Sequence, residues 1–84
     1  MNNKFLVKIS VPLIERTYEI WIPATKKIGN LIQVLVYAIK DQSKGSYCPK
    51  NLPSLYNKKS AQMYDDNVRV IDTDIRNGME LILI

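Results

Sequence analysis

Carboxylates are the side chains in this chain whose spacing comes nearest to a reactive site. Asp65 and Asp66 are adjacent, and Asp72 and Asp74 are separated by one residue. Paired carboxylates serve in acid–base catalysis and in cation binding. Each pair falls in a predicted turn, where an Asp side chain normally accepts hydrogen bonds from nearby backbone N–H groups. We therefore interpret all four as turn residues and predict no metal site.

Nucleophilic chemistry is limited by composition. The 84 residues include no His and one Cys, which excludes Ser-His and Cys-His pairs, a His-ligated metal, an internal disulfide and a cysteine-only zinc site. Cys48 has Lys44 and Lys50 nearby in sequence, and positive charge favours a reactive thiolate. Without a base or a second Cys, we interpret Cys48 as an incidental loop thiol. The sequence therefore predicts a protein that is not an enzyme and that binds no cofactor.

Positive charge is concentrated in the middle of the chain. Residues 40–59 carry five Lys and one Asp, whereas the whole chain has a formal charge of +4. Such a segment can attract RNA, an anionic lipid surface or an acidic protein. Tyr47 and Tyr56 lie beside these lysines in sequence, as stacking aromatics do in nucleic-acid-binding modules. We favour a solvated loop, and a small basic nucleic-acid-binding protein that uses these lysines is the alternative function.

Two N-terminal strands are predicted from the alternation of apolar and polar residues. The first strand places Phe5, Val7, Ile9 and Val11 on one face, and Pro12 ends it. The second strand covers residues 17–22 and is closed by Pro23. Because only a short turn separates them, the two strands are expected to form an antiparallel hairpin.

One helix is predicted over about 26–41. The apolar residues that recur there at helical spacing are Ile28, Leu31, Ile32, Leu35 and Ile39. Thr25 is the best N-cap candidate by residue type, and Gly45 is a plausible stop. Short strands at 55–56 and 61–64 follow, and then a last strand at 79–84 that is apolar on both faces, which indicates a central position in the sheet.

These elements predict an α+β domain with two layers. We expect a mixed sheet of four to five strands with one helix packed across one face, in a single domain that spans residues 1–84. The N-terminus does not have the form of a signal peptide, and no segment approaches ~18 consecutive apolar residues. Together with the lack of disulfides, which suits a reducing compartment, this predicts a cytoplasmic protein.

Three segments carry a resemblance to a known family: YEIWIP at 18–23, IGNLI at 28–32 and VIDTDIRNG at 70–78. In order and spacing the chain resembles ubiquitin-like β-grasp proteins. It is most similar to the small YukD/EsaB proteins that accompany type VII secretion systems of Gram-positive bacteria. The resemblance implies an accessory or regulatory protein of such a system, which acts by non-covalent protein–protein binding to components of the secretion apparatus.

Two positions depart from the wider ubiquitin-like pattern. Thr73 stands where these proteins often have a Tyr, which leaves open whether a tyrosine hydroxyl anchors the loop. Conjugated members carry a Gly-Gly tail beyond the last strand, whereas this sequence stops at Ile84 without one. The YukD/EsaB proteins also lack that tail. The resemblance therefore implies a protein that takes no part in covalent conjugation or sulfur transfer, unless a longer precursor exists.

The strand order of the β-grasp implies a second, open sheet face that points away from the helix. Contiguous exposed apolar surface marks an interaction site, and Trp and Tyr are its usual anchors. In ubiquitin-like proteins the same face carries the protein-binding patch. The residues that we predict to form a protein-binding stripe across it are Leu6, Trp21, Tyr56, Ile82 and Ile84. Binding of a second copy through this face is included in that prediction. In the alternative interpretation, Trp21 folds over a neighbour and Ile82 only pairs with an adjacent strand.

Overall fold

Four strands and one helix make up the structure, a computed structural model that describes residues 3–84. Met1 and Asn2, which the prediction on the N-terminus includes, lie outside the described residues. In chain order the elements are β1 (Lys4–Val11), β2 (Arg16–Pro23), α1 (Ile28–Gln42), β3 (Leu55–Asn57) and β4 (Glu80–Leu83). Short 3-10 turns occur at Pro12–Ile14 and Val70–Asp72.

The sheet is mixed and has the order β2-β1-β4-β3. β1 pairs with β2 antiparallel and with β4 parallel, and β3 pairs with β4 antiparallel. The last strand is thus central, as its apolar residues on both faces predict. The α+β class and the β-grasp arrangement, with the helix on one side of the sheet, are confirmed.

The core lies between α1 and one face of the sheet. Alternate residues of β1 and β4 are buried there, together with the apolar stripe of the helix; the buried sheet and helix residues are Val7, Ile9, Val11, Ile22, Leu55, Leu81, Leu83, Ile28, Leu31, Ile32, Leu35 and Ile39. Burial of such side chains is the main source of stability in a domain of this size. Among residues 3–84, no helix is long and apolar enough to cross a membrane.

The start of the helix differs from the prediction. The helix begins at Ile28 with Lys27 as N-cap residue and without a side-chain cap, so the prediction of Thr25 as N-cap is wrong. The first free N–H groups are instead taken up by a distant loop. Ile28 N donates to the carbonyl of Val68 at 2.9 Å, and Gly29 N donates to the carbonyl of Asp66 at 3.0 Å. Because backbone carbonyls satisfy these donors, the helix needs no local capping residue.

The strand predicted at 61–64 is not formed. Only an isolated bridge between Tyr56 and Met63 occurs there, so the sheet has four strands. Ala61 has a φ of 62°, which takes the backbone out of the extended region just where the strand would begin. The chain therefore forms one bridge to β3, closed by hydrogen bonds from Asn57 N to the Gln62 carbonyl and from Tyr64 N to the Leu55 carbonyl, and then turns away.

A tyrosine hydroxyl does anchor the loop before β4, although it comes from another position. Thr73 donates its hydroxyl to the carbonyl of Val70 at 2.6 Å. Tyr64 donates its hydroxyl to Oδ1 of Asp74 at 2.7 Å, and Asn57 Nδ2 donates to Oδ2 of the same carboxylate at 3.2 Å. Burial raises the pKa of Tyr64, and the hydrogen bond to Asp74 adds to that rise.

Candidate interaction surface

The open face of the sheet is the face opposite α1, and strand alternation defines its residues. Leu6 of β1 lies directly opposite Trp21 of β2. Tyr56 of β3 lies directly opposite Ile82 of β4. Directly opposed side chains in an antiparallel pair have Cβ atoms about 5 Å apart, so each pair is in contact. Four of the five predicted residues therefore form two cross-strand pairs on this face.

Trp21 is the most prominent of these side chains. It is 53% exposed. Leu6, Tyr56 and Ile82 are half-buried. An indole left half in water is unusual for a residue of this size, and such residues are typical anchors of protein–protein interfaces.

The two apolar pairs do not form one stripe, contrary to the predicted geometry. The parallel register sets Ser10 opposite Ile82 and Lys8 opposite Glu80. Leu6 is four residues from Ser10 along β1, or roughly 13 Å. The charged residues between the pairs are Glu19, Lys8, Glu80 and Lys58, and we call them the charged row. The open face thus has an apolar pair on each side of this row.

Within the chain, the side chains of the charged row are held in place only weakly. Lys58 Nζ and Oε2 of Glu80 form a salt bridge at 3.1 Å, with about half of each side chain exposed. Exposed ion pairs of this kind contribute little stability. The charges remain available to interact with a partner.

Ile84, the fifth predicted residue, lies just beyond β4 at the end of the sheet. It exchanges two backbone hydrogen bonds with Ser54, and it lines a groove of about 650 Å³ at the end of the sheet. Leu13, which is 62% exposed, and Leu52, which is 56% exposed, line the same groove. The sequence pattern did not predict either residue as part of a surface. Their positions in irregular segments, outside any strand, gave no periodic signal.

The lysines of residues 40–59 are all exposed but are dispersed. Lys40 and Lys44 lie at the end of α1, Lys50 lies in the loop that follows, and the last two lie in the turn after β3. Tyr47 is buried, with 1% of its surface exposed, and burial raises its pKa. It is therefore inaccessible for base stacking, which removes half of the aromatic support for nucleic-acid binding.

The carboxylates act as turn residues wherever the structure gives them partners. Asp65 accepts a hydrogen bond from the N–H of Asn67 at 2.8 Å, Asp72 pairs with Arg69 at 3.1 Å, and Asp74 anchors Tyr64. Residues 3–84 contain no group of three or more potential metal ligands. Cys48 is exposed, and its thiol lies 3.3 Å from the carbonyl of Gly45.

Comparisons with solved structures define the class of the fold. The chain superimposes on the ubiquitin-like domain of the Mycobacterium tuberculosis type VII secretion system protein ECCD1 with a TM-score of 0.77 and 13% identity, over 100% of this chain and 99% of that one. It superimposes on a chain of the MycP5-free ESX-5 inner membrane complex with a TM-score of 0.80 and 10% identity, over 99% of this chain but 21% of that one. The chain therefore spans about a fifth of the length of that component.

The same fold also occurs in an enzyme complex. A chain of the toluene 4-monooxygenase HD complex with 4-bromobenzoate gives a TM-score of 0.78 at 6% identity, over 95% of both chains. No protein-family model and no curated protein matches the sequence. At these identities the comparisons define a ubiquitin-like β-grasp fold.

Proposed function

We propose that this chain is a non-catalytic, ubiquitin-like accessory or regulatory protein of a type VII-like secretion system, and that it acts in the cytoplasm. It binds a protein partner non-covalently through the open face of its sheet. The observation that carries the proposal is the exposed Trp21, paired with Leu6 on a sheet face that no helix covers. Similar folds in type VII secretion components support the choice of system.

The physical basis for binding is the combination of apolar pairs and charges on one face. Trp and Leu side chains supply the favourable burial, since removal of apolar surface from water drives most protein association. The charged row between the pairs supplies orientation, because charged groups set specificity and register more than they set affinity. A flat sheet with this pattern suits a folded protein surface.

The non-catalytic part of the proposal is supported by what the polar side chains do. The chain has no His. Asp65, Asp72 and Asp74 each make a local contact that holds a turn or loop. Because protein binding alone explains the exposed apolar residues of the open face, no catalytic reaction has to be assumed.

The test is affinity capture from cells that contain a type VII-like system, with Trp21→Ala and Ile82→Asp beside the unaltered protein. Both variants are expected to lose secretion components while their circular dichroism stays unchanged. Tyr37→Ala is the matched control, since Tyr37 is 78% exposed on the helix, away from the open face. Unaltered capture by both open-face variants contradicts the proposal.

A further inference from the structure

The charged row has an order that depends on the sheet topology. From β2 across β1 and β4 to β3, the residues that follow one another are Glu19, Lys8, Glu80 and Lys58. The signs alternate, with each charge next to an opposite one. Read in the reverse direction, from Lys58 to Glu19, the row carries at every position the charge opposite to that of the row read forwards. A surface with this property is complementary to a second copy of itself.

Only one kind of two-fold axis uses that complementarity. If the axis lies between two facing sheets and runs parallel to the strands, the row of the second copy is reversed. Glu19 then faces Lys58 of the second copy, and Lys8 faces Glu80 of the second copy, so all four contacts are attractive. If the axis runs along the row instead, every residue faces its own copy, and all four contacts are repulsive. The charges therefore select the first arrangement.

The apolar residues meet small or polar residues in the same arrangement. Gly78 precedes β4 at the position that the parallel register sets beside Leu6. Reversal of the row brings Leu6 opposite Gly78 of the second copy, where no side chain stands in the way. Trp21 is brought to the adjacent groove of about 500 Å³, which Lys58, Gly78 and Glu80 help to line. The same reversal sets Ile82 opposite Ser10 and Tyr56 opposite Thr17 of the second copy. The charged row is therefore the feature that favours this dimer.

We propose that the open face binds a second copy of this chain, face to face, about a two-fold axis parallel to the strands. The proposal deepens the proposed function and rests on its premise that the open face is a protein-binding surface. A standard interface takes ~800 Å² from each partner, about a seventh of the 5536 Å² surface of this chain. Because the facing contacts are mainly between exposed charges, the association is weak and salt-dependent.

Charge reversal tests the arrangement by sedimentation equilibrium. Lys8→Glu and Glu80→Lys each place two like-charged contacts in the dimer, and each is expected to weaken self-association about tenfold or more. An equimolar mixture of the two variants restores all four attractive contacts and is expected to associate as a heterodimer. Raising the ionic strength from about 0.1 M to about 1 M, which shortens the Debye length from ~10 Å to ~3 Å, is expected to weaken the unaltered dimer.

Folding of the variants is checked separately. Within one chain, each reversal sets like charges on neighbouring strands, which is destabilising, so circular dichroism and urea unfolding accompany the experiment. If either variant is unfolded, Glu19→Lys and Lys58→Glu are the replacement pair, since these residues also face each other across the proposed axis.

Three results overturn the dimer. The first is that the unaltered protein stays monomeric at the highest soluble concentration. The second is that the charge-reversal variants dimerise as strongly as the unaltered protein. The third is that the two folded variants, mixed in equal amounts, do not associate. These results are independent of the capture experiment. A monomer whose Trp21→Ala variant loses secretion components overturns the dimer alone, whereas a charge-dependent dimer that captures none of them overturns the secretion role alone.

Discussion

Lys8 lies directly opposite Glu80 in the parallel β1–β4 pair, and this register determines the character of the open face. A shift by two residues along β4 would bring Ile82 beside Lys8 and closer to Leu6. In the observed register, a row of charges separates the Trp21–Leu6 pair from the Tyr56–Ile82 pair. The face is therefore a patterned surface with two apolar pairs, and under the proposed function this pattern sets the orientation of the partner.

Removal of the Tyr64 hydroxyl is expected to destabilise the fold. Tyr64→Phe loses the 2.7 Å hydrogen bond to Asp74 and leaves the ring in place. Because the contact is partly exposed, we expect a loss of about 1 kcal/mol in the free energy of unfolding. Urea unfolding at neutral pH measures it. Equal stability of the variant and the unaltered protein would show that the loop before β4 is held by Asn57 and Thr73 alone.

The contribution of Tyr64 is expected to depend on alkaline pH. Burial, together with the bond to Asp74, raises the pKa of Tyr64 in the folded state. Its stabilisation is fully present below the unfolded pKa of about 10 and is lost as the pH rises through the higher folded value, because the unfolded tyrosine ionises first. The stability difference between the unaltered protein and Tyr64→Phe should thus narrow above pH ~10. If the difference in unfolding free energy between the two proteins widens above pH ~10, the raised pKa of Tyr64 in the folded state is contradicted.

Tyr18 is expected to behave in the opposite way to Tyr64. Its hydroxyl is buried and has no hydrogen-bond partner among the described residues. A buried unsatisfied polar group costs about 1–3 kcal/mol, so Tyr18→Phe should leave stability unchanged or raise it by ~1 kcal/mol. Thermal and urea unfolding compare the two Tyr→Phe variants side by side. A clear loss of stability in Tyr18→Phe would reveal a partner for this hydroxyl.

Gly29 is expected to resist replacement although it lies in a helix. Ala is normally favoured over Gly in a helix by about 1 kcal/mol. A Cβ at Gly29, however, would lie 3.2 Å from Cβ and 3.3 Å from the carbonyl oxygen of Asp66, and Gly29 N already donates to that oxygen. Gly29→Ala should therefore fail to stabilise the protein, whereas the exposed neighbour substitution Asn30→Ala should follow helix propensity. An equal gain in the free energy of unfolding in both variants would contradict the close approach of Asp66 to Gly29.

Nucleic-acid binding is expected to be absent or weak. Real phosphate contacts produce a steep fall in affinity with salt, and here the lysines are dispersed and Tyr47 is buried. Filter binding with RNA and DNA at several salt concentrations should give no steep slope. A slope that disappears in Lys40→Glu together with Lys44→Glu would instead support the basic segment as the functional site.

Local periodicity was sufficient to predict β1, β2 and α1. Alternation at Val7, Ile9 and Val11 defines the buried face of β1, and the apolar stripe that begins at Ile28 defines the helix face. These signals are strong because burial imposes them on every second residue of a strand and on one stripe of a helix. The double apolar character of residues 79–84 placed the last strand in the centre of the sheet for the same reason.

Features that depend on contacts distant in sequence were missed. The helix is capped by carbonyls of residues 66 and 68, so residue type at Thr25 had no bearing on where it starts. Which tyrosine would anchor Asp74 could not be read from spacing. The predicted apolar stripe is divided into two pairs because of the register of β1 against β4. That register belongs to the pairing of two strands, so the sequence of a single strand does not encode it.

The central claim is that the open face of the sheet binds protein. Site-specific photo-crosslinking in the native cell tests it most directly, with a photoreactive residue placed at Trp21 in one strain and at Tyr37 in another. We expect protein adducts from position 21, either to a second copy or to a secretion component, and none from the control position 37. Adducts from position 37 alone would contradict it.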